Sequence, residues 1–411
     1  MLREAQLHVF LCERYVGSLS RPDPFRPHKV FFAYDDAYDG IPLSKSLPLA
    51  QQHFDEDASY TFFANLLPED TILQEIIRQR RIAGSDLICC LAELGNETAG
   101  AIIVTADTVP PKDDHSYRSC LDEVVKFLDT DCGYLATTVK TRLSLAGAQD
   151  KLACIVTESD ILVPTGYAPT THILKPDSPI YKDLVFNEAF CLQLAKDIGL
   201  PAVNYKLIKI NNKYLLSIER YDRYQRNNVI YRLHQEDFCQ AMGIYPSAKY
   251  QRSGLYEGYY TIANIYKNSI YKTLTDFALF NFLIGNCDNH IKNISIIYNE
   301  DGTSKISPLY DTICTEVYST LDTDLAIAIG RHYQKDLISQ NDLKIFADDI
   351  GTTTTYINRR FAELTELIAE RFQAVIDRFT EEYGKRDIFN NITKRITGNI
   401  KMAVKLITKQ S

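Results

Sequence analysis

Nine residues, "GNCDNHIKN" from Gly285 to Asn293, follow the apolar run "TDFALFNFLI" and carry an Asp, a His, a Lys and three Asn. On an α-helix, Asp288 and Asn293 would point about 140° apart, so they converge on one point only from irregular backbone. The following stretch, "ISIIYNEDGTSKISPLYD", has strand-like runs over 294–298 and 305–309 around Asn299-Glu300-Asp301-Gly302, and Asp-Gly is a strong hairpin signal. Asn293 lies nine residues before Gly302 and Asp311 nine after it, so the predicted hairpin returns Asp311 to the neighbourhood of Asn293 and Asp288. Two carboxylates and an amide oxygen gathered on loops suit a hard cation and a hydroxyl nucleophile. Asn293 and Asp311 are the expected Mg²⁺ ligands, and Asp288 the group that receives or orients a proton. This is phosphoryl-transfer chemistry. His290 either braces the loop or touches the nucleotide, and Lys292 is placed to steady the transferring phosphate. Taken singly, each of these residues reads as a cap or turn; the set with its returning hairpin reads as a site.

Such chemistry needs a second half that cradles a nucleotide. In "RLSLAGAQDKLACIV", Gly147 stands between Ala146 and Ala148 and separates two strand-like runs, so backbone N–H groups can approach phosphate, with Lys151 adding charge. It is not a Walker A motif, and alone it reads as a tight turn. "THILKP" sets Lys175 near the end of a strand, and the helix starting "NEAF" offers Glu188 as its ion-pair partner, the arrangement by which protein kinases hold the α- and β-phosphates. "SIERYD" closes the strand-rich region, where Glu219 and Tyr221 bracket a hinge that hands backbone groups to an adenine edge.

The elements that position these residues fall into three stretches. Residues 1–130 alternate strand-like runs ("QLHVFLC", "KVFFAY") with turns, then offer the helical "LPEDTILQEIIRQRRI", a small α+β subdomain. The polar "TVPPKDDHSYRS" is the expected connector. Residues 131–225 read as a mostly antiparallel, nucleotide-binding lobe: "KLACIVT", "THILKP", the helix "NEAFCLQLAKDIG" with Asn187 as cap candidate, then "NYKLIKI" and "YLLSIERY" about Asn211-Asn212. Residues 226–411 read as a helical lobe with "KTLTDFALFNFLI", "TYINRRFAELTELIAERFQAVIDRF" and "ITKRITGNIKMAVKLITKQ". In the last of these, lysines 394, 401, 405 and 409 stand among apolar residues, a pattern of amphipathic packing rather than of an anion-binding face. The predicted fold class is α+β, a bilobal kinase-like architecture with a strand-rich N-terminal lobe, an extra N-terminal α+β subdomain and an all-helical C-terminal lobe.

Composition narrows the function classes. A chain of 411 residues with 45% hydrophobic and 24% charged residues is ordinary globular protein, enough for two or three cores. A formal net charge of -8 argues against an extended nucleic-acid surface, which would concentrate Lys and Arg, so any DNA contact is expected through a partner. Ten cysteines show no metal-ligand spacing, the start "MLREAQLHVF" lacks a signal-peptide pattern, and no apolar run reaches the ~18 residues a bilayer needs. A cytoplasmic location away from any membrane is the expectation.

"YTFFANLLPED", "DLICCLAELGNETAGAI", "SLAGAQDK", "PTTHILKPD", "NEAFCLQLAKDIGL", "SIERYDR", "RLHQEDFCQAMG", "GNCDNHIKN" and "ISPLYDT" occur in this order over nearly the whole chain. In that combination the sequence resembles the HipA family of serine/threonine kinases, the toxins of bacterial toxin-antitoxin pairs. The resemblance implies ATP and Mg²⁺ as cofactors, Asp288 as catalytic aspartate, Asn293 and Asp311 as metal ligands, and Lys175 on the ATP phosphates. It also implies hinge contacts from Glu219 and Tyr221, nucleotide contacts from Gln235, His290 and Tyr310, and inactivating autophosphorylation at Ser144. Its implied partners are a small helix-turn-helix antitoxin (HipB-like) that carries the kinase to operator DNA, and a protein substrate such as an aminoacyl-tRNA synthetase, with glutamyl-tRNA synthetase the family example. Cys287, Asn289 and Thr312 stand where relatives often differ, and none replaces a proposed ligand. Two other classes stay open on the residues: a small-molecule kinase with a similar Asp/Asn loop, and an inert ATP-site module acting as co-repressor with a DNA-binding antitoxin.

Overall fold

Alternating burial builds the first sheet. Leu7 and Val9 face inward from Ala5–Leu11, Val16 and Leu19 from Arg14–Arg21, and Phe32 from Phe31–Tyr34. With Ile102–Thr105 these strands form an antiparallel sheet in the order Phe31–Tyr34, Arg14–Arg21, Ala5–Leu11, Ile102–Thr105. Helices Glu56–Ala64, Asp70–Arg80 and Leu87–Leu94 close its core through Phe62, Phe63, Ile72, Ile76 and Leu91. Asp55 and Asp86 cap the first and third helices by accepting from the Ala58 and Ile88 N–H groups. The computed structural model describes residues 5–82, 86–109, 112, 115–130, 133–139, 141, 145–147, 149–227, 229–266, 270–299 and 303–408.

A second sheet has six strands in the order Tyr117–Ser119, Ile161–Pro164, Leu152–Val156, His172–Pro176, Lys213–Glu219, Tyr205–Ile210. Cys120, Val124, Leu128 and Leu135 pack with the buried strand residues Leu152, Cys154, Leu174 and Leu215. Asn211, in the left-handed region at φ 54°, makes the expected turn between the last two strands in sequence.

By compactness the chain divides into two units. One comprises Met1–Pro176, Ile208–Ser247 and Ser295–Lys305, the other Asp177–Leu207, Ala248–Ile294 and Ile306–Ser411. The second unit is mainly helical. Its central helix Tyr271–Ile284 is buried nearly all round, as its apolar sequence foretells, with Phe282 edge-on to Phe361 at 5.3 Å. The long helix Thr354–Tyr383 and the helix Asp387–Thr408 cover it, and Phe379 and Phe389 meet Phe190 of the helix Leu184–Asp197. In Asp387–Thr408 the buried residues Ile388, Ile392, Ile396 and Ala403 form one stripe, and Lys394, Lys401 and Lys405 are exposed, as amphipathic packing requires; Lys409 lies outside the described residues. No helix among the described residues is long and apolar enough to cross a membrane.

Two expectations change. The helix carrying Glu188 starts at Leu184, and Asn187 is not its cap. The Asp177 carboxylate, from outside the helix, accepts from Asp183 N at 3.1 Å and Val185 N at 3.3 Å, which frees Asn187 to clasp Cys314 by a donated bond at 3.1 Å and an accepted one at 2.9 Å. The stretch after residue 225 is mainly helical but also supplies short strands: Gln235–Asp237, Ser295–Tyr298 and Ser304–Ile306 form a three-stranded sheet.

Within that sheet Glu236 is fully buried and accepts from the Ser44 and Tyr298 hydroxyls and from Lys45 N at 3.1 Å. Burial raises its carboxyl from 4.5 to about 7, against the pull of those donors, and Asp237 adds to the rise. The folded state therefore holds a proton there that the unfolded chain releases near pH 4.5. Stability from this group is full below pH 4.5 and falls as pH rises towards about 7. Glu236→Gln is expected to flatten that slope, as urea denaturation at pH 5 and pH 8 would register; an unchanged pH dependence would refute it.

Candidate active site

Gly285 ends the central helix in the left-handed region at φ 76°, and its N–H bonds Phe282 O at 3.3 Å. A Cβ there would meet Glu316 Oε2 at 2.6 Å, so Gly285→Ala is expected to cost about 1–3 kcal/mol of stability, measurable by urea denaturation. The polar residues on either side of it pair with one another and with the backbone. Asn281 Nδ2 donates to Phe277 O at 2.8 Å, Asn286 Nδ2 to Asn281 Oδ1 at 2.8 Å, and Asp288 N to Asn286 Oδ1 at 3.1 Å. This amide relay hangs Asp288 from the helix. The loop then closes on itself: Asp288 O accepts from His290 N at 2.8 Å and from Asn293 Nδ2 at 3.1 Å. Asp288 is exposed, Asn293 half-buried, and His290 and Lys292 buried.

Asp311 reaches the loop by a route that differs from the expected hairpin. The expected turn at Glu300, Asp301 and Gly302 lies outside the described residues. The second strand was expected to run to Leu309, but it stops at Ile306, since Pro308 has no N–H to continue a ladder. Leu309 instead bridges Ala202, with Leu309 N on Pro201 O at 2.8 Å. Tyr310 Oη then donates to Lys292 O at 2.8 Å, which sets Asp311 beside the loop in the left-handed region at φ 48°. Burial drives the His290 imidazole well below its ordinary range, Lys249 and Lys292 add to this, and nearby Asp311 opposes it. His290 is therefore neutral, with Nδ1 buried and without a hydrogen-bond partner.

This donor set fits a hard divalent cation. The Asn293 nitrogen is committed to Asp288 O, which leaves its side-chain oxygen as the acceptor to join the Asp311 carboxylate in an all-oxygen set. Beneath it, Cys287 N donates to Thr315 Oγ1 at 2.8 Å, and Thr315 Oγ1 bonds Gly285 O at 3.2 Å. Buried Glu316 pairs with Lys335, whose Nζ also bonds Asn399 Oδ1 at 2.9 Å. The segment after Asp311 is thus riveted under the start of the loop. Burial pushes the Cys287 thiol up to about 12, so it is packing rather than nucleophile.

The nucleotide-side residues belong to the other compact unit, apart from His290 and Tyr310 of the loop region and Glu188, which is fully buried in the helix Leu184–Asp197. Lys175 is buried in the strand His172–Pro176 opposite Leu216. Tyr221 Oη donates to Gln235 Oε1 at 2.8 Å, which brings those two candidates together, and Glu219 is exposed at the end of its strand. Gly147, at φ 111°, bridges Pro68, and its O accepts from Glu69 N at 3.2 Å; Lys151 Nζ donates to Ala146 O at 2.6 Å. Lys151 therefore braces the loop's own carbonyl. Ser144 and Ala148 lie outside the described residues.

Two features escaped the sequence reading. Tyr250 Oη donates to Asp288 Oδ1 at 2.6 Å. Ahead of the hinge, buried Glu97 accepts from Arg220, Arg223 and Arg232 at 3.0, 2.9 and 2.7 Å. No local spacing announces either, since Tyr250 sits in a polar stretch and the arginines on Glu97 are more than a hundred residues away.

Comparisons with known proteins identify the family. Residues 7–105 match the HipA N-terminal domain and residues 143–379 the HipA-like C-terminal domain. The chain is 32% identical to the putative kinase Y4mE of Sinorhizobium fredii, over 96% of this chain and 98% of that one. It is 27% identical to the serine/threonine-protein kinase toxin HipA of Shewanella oneidensis, over 90% and 89% of the two chains. A chain of the solved Shewanella oneidensis complex of HipA, HipB and operator DNA has the same fold, with TM-score 0.82 at 24% identity over 98% of this chain and 97% of that chain. The α+β, kinase-like chain belongs to the HipA family of serine/threonine kinase toxins.

Proposed function

We propose that this kinase transfers the γ-phosphate of ATP to a serine or threonine hydroxyl of a bacterial protein and so halts growth. Asp288 takes the hydroxyl proton as the acceptor oxygen bonds to phosphorus and ADP leaves, and Lys292 steadies the transferring group. Asn293 and Asp311 hold Mg²⁺, which when bound neutralises charge on the phosphates. Lys175 serves the phosphates with Glu188 as its supporting carboxylate, Ala146, Gly147, Ala148 and Lys151 form the phosphate loop, and Glu219, Tyr221, Gln235, His290 and Tyr310 serve the nucleotide. The observation that carries this reading is the loop in which the Asp288 carbonyl ties down Asn293 while Tyr310 ties Asp311 to Lys292.

The same reading takes residues 1–130 as the leading subdomain, 131–225 as the nucleotide lobe and 226–411 as the catalytic lobe. It includes self-inhibition by phosphate on Ser144, an aminoacyl-tRNA synthetase as target, a HipB-like antitoxin that supplies all DNA contact, and a cytoplasmic setting. Incubating the purified chain and its Asp288→Ala variant with radiolabelled ATP and a bacterial extract tests the core of it. A labelled protein band lost in the variant is expected. Label confined to a soluble metabolite would make the chain a small-molecule kinase, and no Asp288-dependent label at all would make it an inert module.

A further inference from the structure

The bond between Tyr250 and Asp288 places a hydroxyl where the acceptor's hydroxyl has to be. An attacking serine or threonine must donate its proton to a carboxylate oxygen of Asp288, and Tyr250 Oη already donates to Oδ1 at 2.6 Å, the length of a charge-assisted O–H···O⁻ bond. The contact is built. Ile291 N donates to Lys249 O, which ties the residue before Tyr250 to the catalytic loop. The Tyr250 ring stands edge-on to His290, centroids 5.2 Å apart at 87°, and Ser253 N bonds Tyr250 O at 3.0 Å at the start of a single turn of 3-10 helix. Yet the residue is 38% exposed, in keeping with a side chain that can swing aside without uncovering a core.

We propose that the Tyr250 hydroxyl is a placeholder for the acceptor: it occupies the proton-accepting oxygen of Asp288 until a protein hydroxyl displaces it, and so denies that oxygen to water. The inference rests on the assignment of Asp288 as proton acceptor. Without such a device, a water oxygen can bond to the γ-phosphorus, the bond to the β,γ-bridging oxygen breaks, ADP departs and the water proton passes to Asp288, which wastes the nucleotide. Productive transfer follows the same course with a serine or threonine oxygen in place of water, and it begins once the acceptor takes over the bond to Oδ1. Tyr250 thereby favours an acceptor whose binding energy displaces the ring over a solvent molecule that has none to contribute.

The full-length chain with MgATP and no acceptor gives the test. Tyr250→Phe, which keeps the ring and removes only the hydroxyl, is expected to raise ADP release at least about fivefold, within the range that freeing a general base can supply. It should at the same time lower the KM for the phosphorylated protein. Release equal to or below that of the parent, with Asp288→Ala still abolishing transfer, overturns the placeholder and leaves the kinase assignment standing. Full transfer by Asp288→Ala overturns the assignment and this inference with it. Phosphate found on Tyr250 itself would make it an acceptor and refute the placeholder. A readout free of nucleotide complements these: with 3-fluorotyrosine at position 250, the ¹⁹F resonance is expected to move in Asp288→Ala, and an unmoved resonance counts against the contact.

Discussion

Asp288→Ala is expected to keep the fold and lose at least about 10³-fold in turnover, roughly 4 kcal/mol of transition-state stabilisation. The two halves of that expectation come from different atoms. The main chain of Asp288 shapes the loop: its N–H bonds Asn286 Oδ1, and its O accepts from His290 N and from Asn293 Nδ2. An alanine retains all three bonds. The carboxylate is exposed, and its removal takes away the bond accepted from Tyr250. Stability by urea denaturation should therefore stay within about 0.5 kcal/mol of the parent, as for a surface change away from special features. The KM for ATP should move little, because the nucleotide is assigned to other residues. Single-turnover phosphate transfer separates these quantities. A variant that transfers phosphate at a near-normal rate would remove Asp288 from the chemistry, and one that melts early would mean the carboxylate holds the loop.

The parts of this site written in local sequence were legible. The apolar run before Gly285 signals a buried helix, the glycine its stop, and the crowd of Asn and Asp a loop; the relay of amides from Phe277 to Asp288 that hangs this loop from the helix was not foreseen. The limits are equally physical. Asn187 looked like a cap because caps are short polar residues at helix starts, but a carboxylate from outside the helix filled that role, and burial turned the asparagine to Cys314. The hairpin pattern carried the strand to Leu309 by its apolar alternation, while Pro308 broke the ladder and Leu309 found Ala202. Tyr250 and Glu97 were illegible for a different reason: a tyrosine in "AKYQRSG" and a glutamate in "LGNETAG" have no periodicity that reports a partner brought by tertiary folding.

Glu97→Gln is expected to cost about 3–5 kcal/mol of stability. Glu97 is 1% exposed and sits among Arg220, Arg223 and Arg232, with Thr170 N and Oγ1 also donating to it at 3.0 and 2.8 Å. Asp222, the other acid of the cluster, bonds Arg220 and the Gly100 N–H. Three guanidiniums against two carboxylates leave one excess positive charge; the amide leaves two, among buried side chains. Burial alone would raise the Glu97 carboxyl, but Arg223, Arg232 and Arg220 outweigh it and hold the group far below the usual carboxylate range. A depressed folded-state value contributes stability that is full above the unfolded carboxylate range and drains away as pH falls below it. The parent should therefore weaken in acid more steeply than Glu97→Gln, and urea denaturation at pH 7 and pH 4 reads both the loss and the difference in slope. The cluster also bears on the nucleotide. Arg220 lies between Glu219 and Tyr221, and its own N–H bonds Thr171 O at 2.9 Å, so the guanidinium that Glu97 anchors fixes the backbone of the proposed hinge. The variant is then expected to raise the KM for ATP while transfer from bound ATP continues. A loss of under about 1 kcal/mol with an unchanged KM would show that the arginines settle on other partners, and that the cluster neither holds the first unit together nor sets its hinge.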